Sequence, residues 1–189
     1  MIKIGILGGI GSGKSYVAKC FGYPVFNADY EVSKLYKKDK RTYNKLKKIL
    51  PKHFQSFPIE KAEVSNAILA NKSNLKKIVK IVHLEIRKKL NNFLKKNQHK
   101  KFVILDIPLL LENKLNKKED ILIFVQSKKI EISKRLKKRN NFNQKLFNKF
   151  KNIQLPLDYK RKKSQFIIKN NFTKKHVMMN VRNILNKIM

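Results

Sequence analysis

Cysteines, acidic residues and long apolar runs are all scarce in this chain. The single cysteine, Cys20, excludes an intrachain disulfide framework, because such a framework needs a second cysteine. No apolar run reaches the roughly 18–20 residues that a membrane span needs. The first residues, interrupted by Lys3 and by glycines, lack the pattern of a cleaved signal peptide. These absences predict a protein of the reducing cytoplasm without a membrane partner.

The shortage of acidic side chains leaves a large positive charge. Asp and Glu number 12 against 46 Lys and Arg, so the formal net charge is +34. A charge of this size attracts polyanions, which keeps a functional basic surface open as one interpretation. Only six of the basic residues are arginine, and the lysines are spread along the whole chain. Because lysine, asparagine and isoleucine share A/T-rich codons, we favour a solvated lysine-rich surface and expect no specific nucleic-acid partner.

Short apolar segments alternate with helical patterns along the 189 residues. A chain of this length forms one domain, or one domain with a small insertion. Strands are predicted at 2–7, 24–29, the start of 101–112, 120–126 and 165–169. Helices are predicted at about 13–21, roughly 30–96, about 128–139 and along an apolar stripe from Val177 to Ile188. This alternation predicts an α/β fold with a five-stranded parallel sheet flanked by helices.

A glycine-rich segment, GGIGSGKS at 8–15, follows the first predicted strand. It fits the G-x-x-x-x-G-K-[ST] pattern of a phosphate-binding loop without a mismatch, and it lies between a strand and a helix. Glycines let backbone N–H groups curl around phosphate oxygens, and the start of the helix adds partial positive charge. We therefore expect ATP on this loop, with Lys14 at the β- and γ-phosphates and Ser15 on a bridging Mg²⁺.

Other residues of the loop and of the following helix are also expected to contact the nucleotide. They are Gly9, Gly11, Ser12, Gly13 and Tyr16. Tyr16 stands where many such loops carry threonine, so we expect its backbone N–H, rather than its hydroxyl, to serve. The loop predicts nucleoside triphosphate binding, and the remainder of the chain must indicate the phosphoryl acceptor.

The segments beyond the loop resemble the dephospho-coenzyme A kinase family. They run in the order and spacing of that family over almost the whole chain. The matching segments are FNAD at 26–29, HLEIR at 83–87, IPLLLE at 107–112, the two arginines of RLKKR at 135–139, Gln154, and FIIKNN at 166–171. The resemblance implies that ATP phosphorylates the ribose 3′-hydroxyl of dephospho-CoA, which gives CoA and ADP in the last step of CoA synthesis.

The resemblance also implies a layout of the domain. We expect a core formed by 1–29 and 97–189, a helical substrate-binding insert at about 30–96, and a lid at about 135–150 whose mobile part is NNFNQ at 140–144. Oligomeric state is not encoded in any motif, and a monomer or a weak homo-oligomer is expected.

Asp29 is the candidate catalytic carboxylate. It is predicted at the end of the second strand, on the edge of the sheet where such folds bind ligands. A carboxylate there can orient the acceptor hydroxyl and take its proton. The family often has Asp-Ala-Asp, and this chain has Asn27, Ala28 and Asp29. An N-cap for a helix that begins near Tyr30 is the structural alternative, and both roles are compatible.

His83 and Arg87 are candidate acceptor-binding residues. Their i,i+4 spacing places them on one face of a helix, where they suit a phosphate or pyrophosphate. The family motif is His-Pro-x-x-Arg, and this chain has Leu84 in place of the proline. A solvent-facing His and Arg is the alternative. Leu109 of the IPLLLE segment is expected to add an apolar wall to the substrate site.

Arg135 and Arg139 are candidate lid residues. They have the same i,i+4 spacing, and arginine is rare in a chain that uses lysine elsewhere. In small kinases such arginines stabilise charge on the transferring phosphoryl group, and we expect both to be catalytic and Arg139 also to bind ATP. An ordinary surface pair between Glu131 and Arg135 is the alternative.

Asp106 is the candidate metal ligand beside Ser15. It lies late in the FVILD segment, where a carboxylate can hold Mg²⁺ directly or through water. A structural role is the alternative for Asp106, and the role of Glu112 stays open. Near the C-terminus the chain departs from the family pattern, with Ser164 and Gln165 before the last strand.

Two other functions stay open for the whole chain. One is a different small-metabolite kinase, acting on a nucleoside, a nucleotide or shikimate. The other is a nucleotide-dependent nucleic-acid-binding module, which the charge of +34 motivates.

Overall fold

A computed structural model of the protein describes residues 1–139 and 142–189. Its sheet has five parallel strands in the order β2-β3-β1-β4-β5. The strands are β1 (Ile2–Gly8), β2 (Val25–Asn27), β3 (Phe102–Asp106), β4 (Ile121–Gln126) and β5 (Phe166–Lys169). The predicted α/β class and the five-stranded parallel sheet are therefore confirmed.

Helices cover both faces of this sheet. They are α1 (Lys14–Cys20), α2 (Ala28–Lys38), α3 (Lys40–Ile49), α4 (Lys61–Ala70), α5 (Lys72–Lys96), α6 (Lys129–Lys137), α7 (Gln144–Asn152), α8 (Leu157–Lys162) and α9 (Lys174–Ile188). Along the described ranges, no helix combines the length and the apolar composition needed to cross a membrane.

The core consists of two apolar layers, one on each face of the sheet. In the first layer, Val17 of α1 and Val181 of α9 pack against Ile4 and Ile123 of the central strands. The second layer lies between the other sheet face and helices α2 to α5. Both layers are buried, which explains why β1, β3 and β4 are apolar on both faces rather than alternating.

The segment 30–96, predicted as helical, folds as the end of α2 followed by α3, α4 and α5. Polar residues mark where the helices begin: Asp39 accepts the backbone N–H of Thr42, and Asn71 accepts that of Ser73. On α5 the apolar side chains of Val82, Ile86 and Leu90 are buried. They pack into the apolar layer that also contains Leu105 of β3.

Two predictions about Asp29 were wrong, namely that it ends a strand and, as the alternative, that it caps the next helix. Strand β2 ends at Asn27, and Asp29 is the second residue of α2. The helix N-cap is Asn27, whose Oδ1 accepts the backbone N–H of Tyr30 at 2.7 Å. An asparagine before Ala-Asp ends the strand because its side chain satisfies an N–H at the helix start.

Helices α7 and α8 were not predicted, and α7 begins within the second half of the expected lid, at Gln144. In α7 the apolar residues Leu146, Phe147 and Phe150 do have helical spacing, which could have been recognised, whereas α8 has only six residues. The first two residues of the NNFNQ break, which was expected to be the mobile part of the lid, lie outside the described residues.

Candidate active site

A cleft of about 540 Å³ lies at the carboxyl ends of β1 and β3. Its wall combines the glycine loop, the start of α2, one face of α5, the segment after β3, the end of α6 and residues 150–154. Parallel strands gather their carboxyl ends at one edge of a sheet, which is where α/β proteins bind ligands. Most of the site residues expected from the sequence line this cleft: Gly11, Gly13, Lys14, Ser15, Tyr16, Asp29, His83, Arg87, Asp106, Leu109, Arg135 and Arg139.

The glycine loop is held in shape from behind. The Ser12 carbonyl accepts hydrogen bonds from Asn170 Nδ2 and from Ser127 Oγ, both at 2.9 Å. Gly13 has a φ of +90°, and a Cβ there would collide with the Asn170 side chain. The end of β5 and the residue after β4 therefore fix the loop before any ligand arrives.

Gly9 and Ser12, two of the expected ATP contacts, do not line the cleft. The Ser12 side chain is buried beneath the loop, and its Oγ has no hydrogen-bond partner within the described part of the chain. The Gly9 carbonyl instead accepts a hydrogen bond from Lys14. These two residues shape the loop from inside.

Lys14 lies across the mouth of the loop. Its Nζ donates to the carbonyls of Gly8, at 3.1 Å, and Gly9, at 2.8 Å. Burial lowers the pKa of Lys14, while the carboxylates of Asp106 and Asp29 oppose that shift. An ammonium held on carbonyl oxygens beside helix α1 is suited to an anionic ligand.

Asn27 joins the two candidate metal ligands. The register of β2 against β3 pairs Asn27 with Asp106, and Asn27 Nδ2 donates to Asp106 Oδ2. The same amide nitrogen lies 3.5 Å from Ser15 Oγ. Because Asn27 Oδ1 accepts the backbone N–H of Tyr30, the amide can face Asp106 only with its nitrogen.

Ser15 Oγ and Asp106 therefore present a hydroxyl and a carboxylate oxygen to one space beside Lys14. Within residues 1–139 and 142–189, no group of three or more His, Cys, Asp or Glu side chains is placed to hold a metal. Few protein ligands and several oxygen atoms from water and phosphate are typical of Mg²⁺ sites, so these residues fit Mg²⁺ in the presence of a nucleotide.

Asp29 points into the cleft from the first turn of α2. Desolvation and then the nearby Asp106 carboxylate raise the pKa of Asp29, while Lys14 and Arg139 oppose that shift. The carboxylate thus lies within electrostatic reach of one acid and of two cations that line the same cavity. A base with a raised pKa beside cationic groups is suited to accept a proton from a hydroxyl.

His83 and Arg87 lie on the cleft face of α5. Arg87 Nη2 donates to the carbonyl of Asn113 at 3.4 Å, which connects α5 to the segment after β3. Partial burial and then the neighbouring Arg87 cation lower the pKa of His83, which favours its neutral imidazole. The pair offers one neutral donor and one fixed cation to an anionic ligand.

Arg135 and Arg139 reach the cleft from the end of α6. The guanidinium of Arg135 lies 4.3 Å from the centre of the Phe172 ring. Glu131 pairs with Lys134 at 3.7 Å rather than with Arg135, so the expected alternative of a Glu131–Arg135 surface pair is wrong. Arg139 is near enough to Lys14 and Asp29 to influence the pKa of both.

Two polar residues at the site were missed by sequence reasoning. Asn27 was quoted only as a departure from the family pattern, although an asparagine before a helix start is a recognisable cap. Lys160 is almost fully buried beneath the cleft, in an ion pair with Glu112. Nothing distinguishes that lysine from its many exposed counterparts in the sequence.

Comparisons with known proteins agree with this geometry. The family model described as dephospho-CoA kinase matches residues 2–176. The dephospho-CoA kinase of Wolbachia pipientis wMel is 36% identical over 190 residues, covering 98% of this chain and 97% of the relative. That of Bacillus anthracis is 31% identical over 181 residues, covering 91% of this chain and 90% of the relative.

Solved structures share the fold. TT1252 from Thermus thermophilus superposes with a TM-score of 0.80 at 25% identity, covering 100% of this chain and 98% of that one. Dephospho-CoA kinase from Campylobacter jejuni superposes with a TM-score of 0.65 at 20% identity, covering 98% of this chain and 96% of that one. The glycine loop, the acid-lined cleft and a family match over nearly the whole sequence lead to one conclusion: this chain belongs to the dephospho-CoA kinase family.

Proposed function

We propose that the cleft transfers the γ-phosphoryl group of ATP to the ribose 3′-hydroxyl of dephospho-CoA, with Asp29 as the general base. One observation carries the assignment: Asp29, Lys14 and Arg139 line one cavity, where the two cations oppose the rise that burial causes in the pKa of Asp29. In the reaction, a bond forms between the ribose 3′-oxygen and the γ-phosphorus, and the bond from that phosphorus to the β,γ-bridging oxygen breaks. The hydroxyl proton goes to Asp29, and the electron pair leaves with ADP.

The glycine loop and Lys14 are proposed to hold the triphosphate. The backbone of Gly11 and Gly13 lines the cleft where the loop meets α1, and a helix start favours negative charge. The Tyr16 N–H, expected to contact the nucleotide, donates to the Gly13 carbonyl at 3.1 Å. Lys14 Nζ exchanges two carbonyl oxygens for phosphate oxygens, which carry more negative charge. Arg135 and Arg139 approach from the opposite wall and stabilise the phosphoryl group during transfer.

Ser15 and Asp106 are proposed to hold the Mg²⁺ that accompanies ATP, and Asn27 keeps the two side chains together. When bound, the ion neutralises charge on the β- and γ-phosphates. The protein groups need only to be positioned before the reaction, because positioning and charge stabilisation supply most of the acceleration in phosphoryl transfer.

His83, Arg87 and Leu109 are proposed to bind the acceptor. His83 and Arg87 face the cleft from α5, and Leu109 faces it from the segment after β3. The two polar side chains suit the diphosphate of dephospho-CoA, and the apolar wall suits its less polar parts. We therefore propose that the ribose lies between α5 and Asp29.

A panel of acceptors tests the proposal. ADP release is measured with the purified chain, ATP and Mg²⁺, and with dephospho-CoA, shikimate, adenosine or AMP as acceptor. We expect a strong response to dephospho-CoA only, and none to an analogue that lacks the ribose 3′-hydroxyl. An equal or faster rate with shikimate or with a nucleoside would overturn the acceptor assignment while leaving the nucleotide site in place.

The finer partner assignments are proposals as well. We expect a cytoplasmic monomer or weak homo-oligomer, which size-exclusion chromatography and cell fractionation would test. Binding to nucleic acid should be sequence-blind, should weaken steeply with salt and should not respond to ATP. ATP-gated binding would instead support the nucleic-acid-binding alternative.

A further inference from the structure

A charged pair is buried directly beneath the cleft. Lys160 of α8 has a side-chain exposure of 1%, and its Nζ lies 2.7 Å from Glu112 Oε1, whose side chain is 12% exposed. Glu112 Oε1 also accepts the backbone N–H of Leu155 at 2.8 Å. The Lys160 ammonium lies 3.5 Å from the carbonyl of Pro108. Two side chains thus contact two backbone segments that are far apart in sequence.

Both of those segments form the wall of the cleft. Pro108 lines the cleft itself, and Leu155 directly follows Gln154, which does so too. Glu112 directly precedes Asn113, whose carbonyl accepts the hydrogen bond from Arg87. The ion pair therefore connects the segment that contacts Arg87 with the segment that enters α8.

Helix α8 also covers the glycine loop. A Cβ on Gly9 would lie 3.5 Å from Leu157 Cδ1, so the first residue of α8 is packed directly over the loop. Lys160 is three residues further along the same helix. The ion pair thus fixes α8 relative to the segment after β3, and with it the packing of Leu157 over the glycine loop.

Stability alone does not explain this pair. Moving two charges out of water costs more than their attraction often returns, and apolar replacements of buried pairs are often neutral or stabilising. Glu112 Oε2 is buried and has no hydrogen-bond partner among the described residues. A buried acceptor without a partner costs free energy. The arrangement is therefore better suited to holding a geometry than to maximising stability.

We propose that Lys160 and Glu112 are positioning residues, whose ion pair sets the wall of the acceptor site through Pro108, Leu155 and Asn113. Neither side chain needs to touch a substrate. The inference rests on the proposed acceptor site, since it assigns to the pair the alignment of the wall that faces Arg87. It predicts an effect on acceptor binding that is separable from any effect on folding.

The test replaces both charges at once. Lys160→Met together with Glu112→Met removes the pair without leaving a lone buried charge, so the protein should remain folded. The matched control is Lys3→Met with Asp120→Met, which removes a second strongly buried ion pair, 2.9 Å long, at the opposite edge of the sheet. The melting temperature and the KM for dephospho-CoA and for ATP are measured for both variants.

We expect KM for dephospho-CoA to rise about tenfold in the Lys160/Glu112 variant, with a smaller change in KM for ATP, since small displacements of positioning groups have effects of this order. The control variant should keep both KM values. Glu112→Gln retains an oxygen for the Leu155 N–H but leaves the buried Lys160 charge without its carboxylate, so it should lower the melting temperature. At a temperature where this variant is folded, it should raise KM for the acceptor in the same direction.

Unchanged KM values in a folded double variant and in Glu112→Gln would overturn the inference and leave the proposed function standing. An equal rise of KM in the control variant would also overturn it, because the effect would then follow from any lost ion pair. Failure of the unmodified chain to phosphorylate dephospho-CoA would overturn the proposed function, and the inference with it.

Discussion

The two edges of the sheet use the same residue types in different ways. At the amino edge, Lys3 of β1 pairs with Asp120 just before β4, at 2.9 Å, and Asp120 also accepts the backbone N–H of Lys117. At the carboxyl edge, Lys14, Asp29 and Asp106 lie around a cavity. Asp120 at the amino edge has its cation in place, whereas Lys14 and Asp29 at the carboxyl edge line the cleft.

The difference shows where binding energy is available. A lysine that already pairs with a carboxylate is not available to bind an anionic ligand, and its removal lowers the stability of the fold. A lysine that lies on carbonyl oxygens, as Lys14 does, can exchange them for stronger anions. Substitutions at the two edges should therefore separate activity from stability.

The largest effect is expected for Asp29→Asn at the carboxyl edge. Without a carboxylate to take the proton, kcat should fall about 10²–10⁴-fold, while ATP binding measured by calorimetry stays close to that of the unmodified chain. Glu119→Gln, an exposed acid at the amino edge, is the control and should keep full activity. An Asp29→Asn variant with most of its turnover would show that Asp29 is not the base.

The next effect compares the two lysines directly. Lys14→Met should weaken ATP binding and lower kcat. The melting temperature should stay unchanged or rise slightly, because burial disfavours the Lys14 charge. Lys3→Met leaves Asp120 buried without its cation, which costs roughly 3–5 kcal/mol. For a chain of this size that lowers the melting temperature by about 10 °C.

Kinetics and thermal melts on both variants measure this contrast. The reverse result, with Lys3→Met inactive at full stability or Lys14→Met active but unstable, would break the distinction between the two edges.

A smaller effect is expected for Asn27→Asp. Aspartate also serves as an N-cap, so the hydrogen bond to the Tyr30 N–H is kept. The new carboxylate faces Asp106 instead of donating to it, and two adjacent carboxylates favour a bound cation. Mg²⁺ without nucleotide should therefore raise the melting temperature of Asn27→Asp more than that of the unmodified chain. Equal shifts in both proteins would argue against a metal site beside Asp106.

The smallest effect concerns the protonation of His83. The Arg87 cation disfavours a second positive charge nearby, so Arg87→Met should raise the pKa of His83 toward its ordinary value. If activity needs a neutral His83, the acid limb of its pH profile should then move to higher pH. A pH titration of the imidazole followed by NMR measures the shift, with Arg182→Met on α9 as the control. A pKa that falls or stays constant would contradict the proximity of the two side chains.

Local patterns predicted much of the fold and part of the site. The glycine loop and the strands at 2–7 and 120–126 were recognisable because a few neighbouring residues specify them. Helices α7 and α8 were missed: α8 has only six residues, and the helical spacing of Leu146, Phe147 and Phe150 in α7 lies within a short lysine-rich stretch. The roles of His83, Arg87 and the lid arginines were expected from family resemblance, and their place around one cleft required the structure.

Asn27 and Lys160 illustrate the limit most clearly. An asparagine that caps a helix is visible locally, but its second contact, to Asp106, depends on a strand register that joins residues 79 positions apart. Lysine is so common in this chain that the sequence gives no sign that Lys160 is buried. The pairing with Glu112 arises only when α8 packs over the end of β3.

Residue order alone thus specified a phosphate-binding loop, a parallel sheet and a candidate base, because backbone freedom, apolar periodicity and side-chain chemistry act over a few residues. The folded chain decided which lysines pair with carboxylates, which acid lies in the first turn of a helix rather than at the end of a strand, and which segments enclose the cleft. Those outcomes depend on burial and on contacts between distant segments, and a charge changes its role when water is removed from around it.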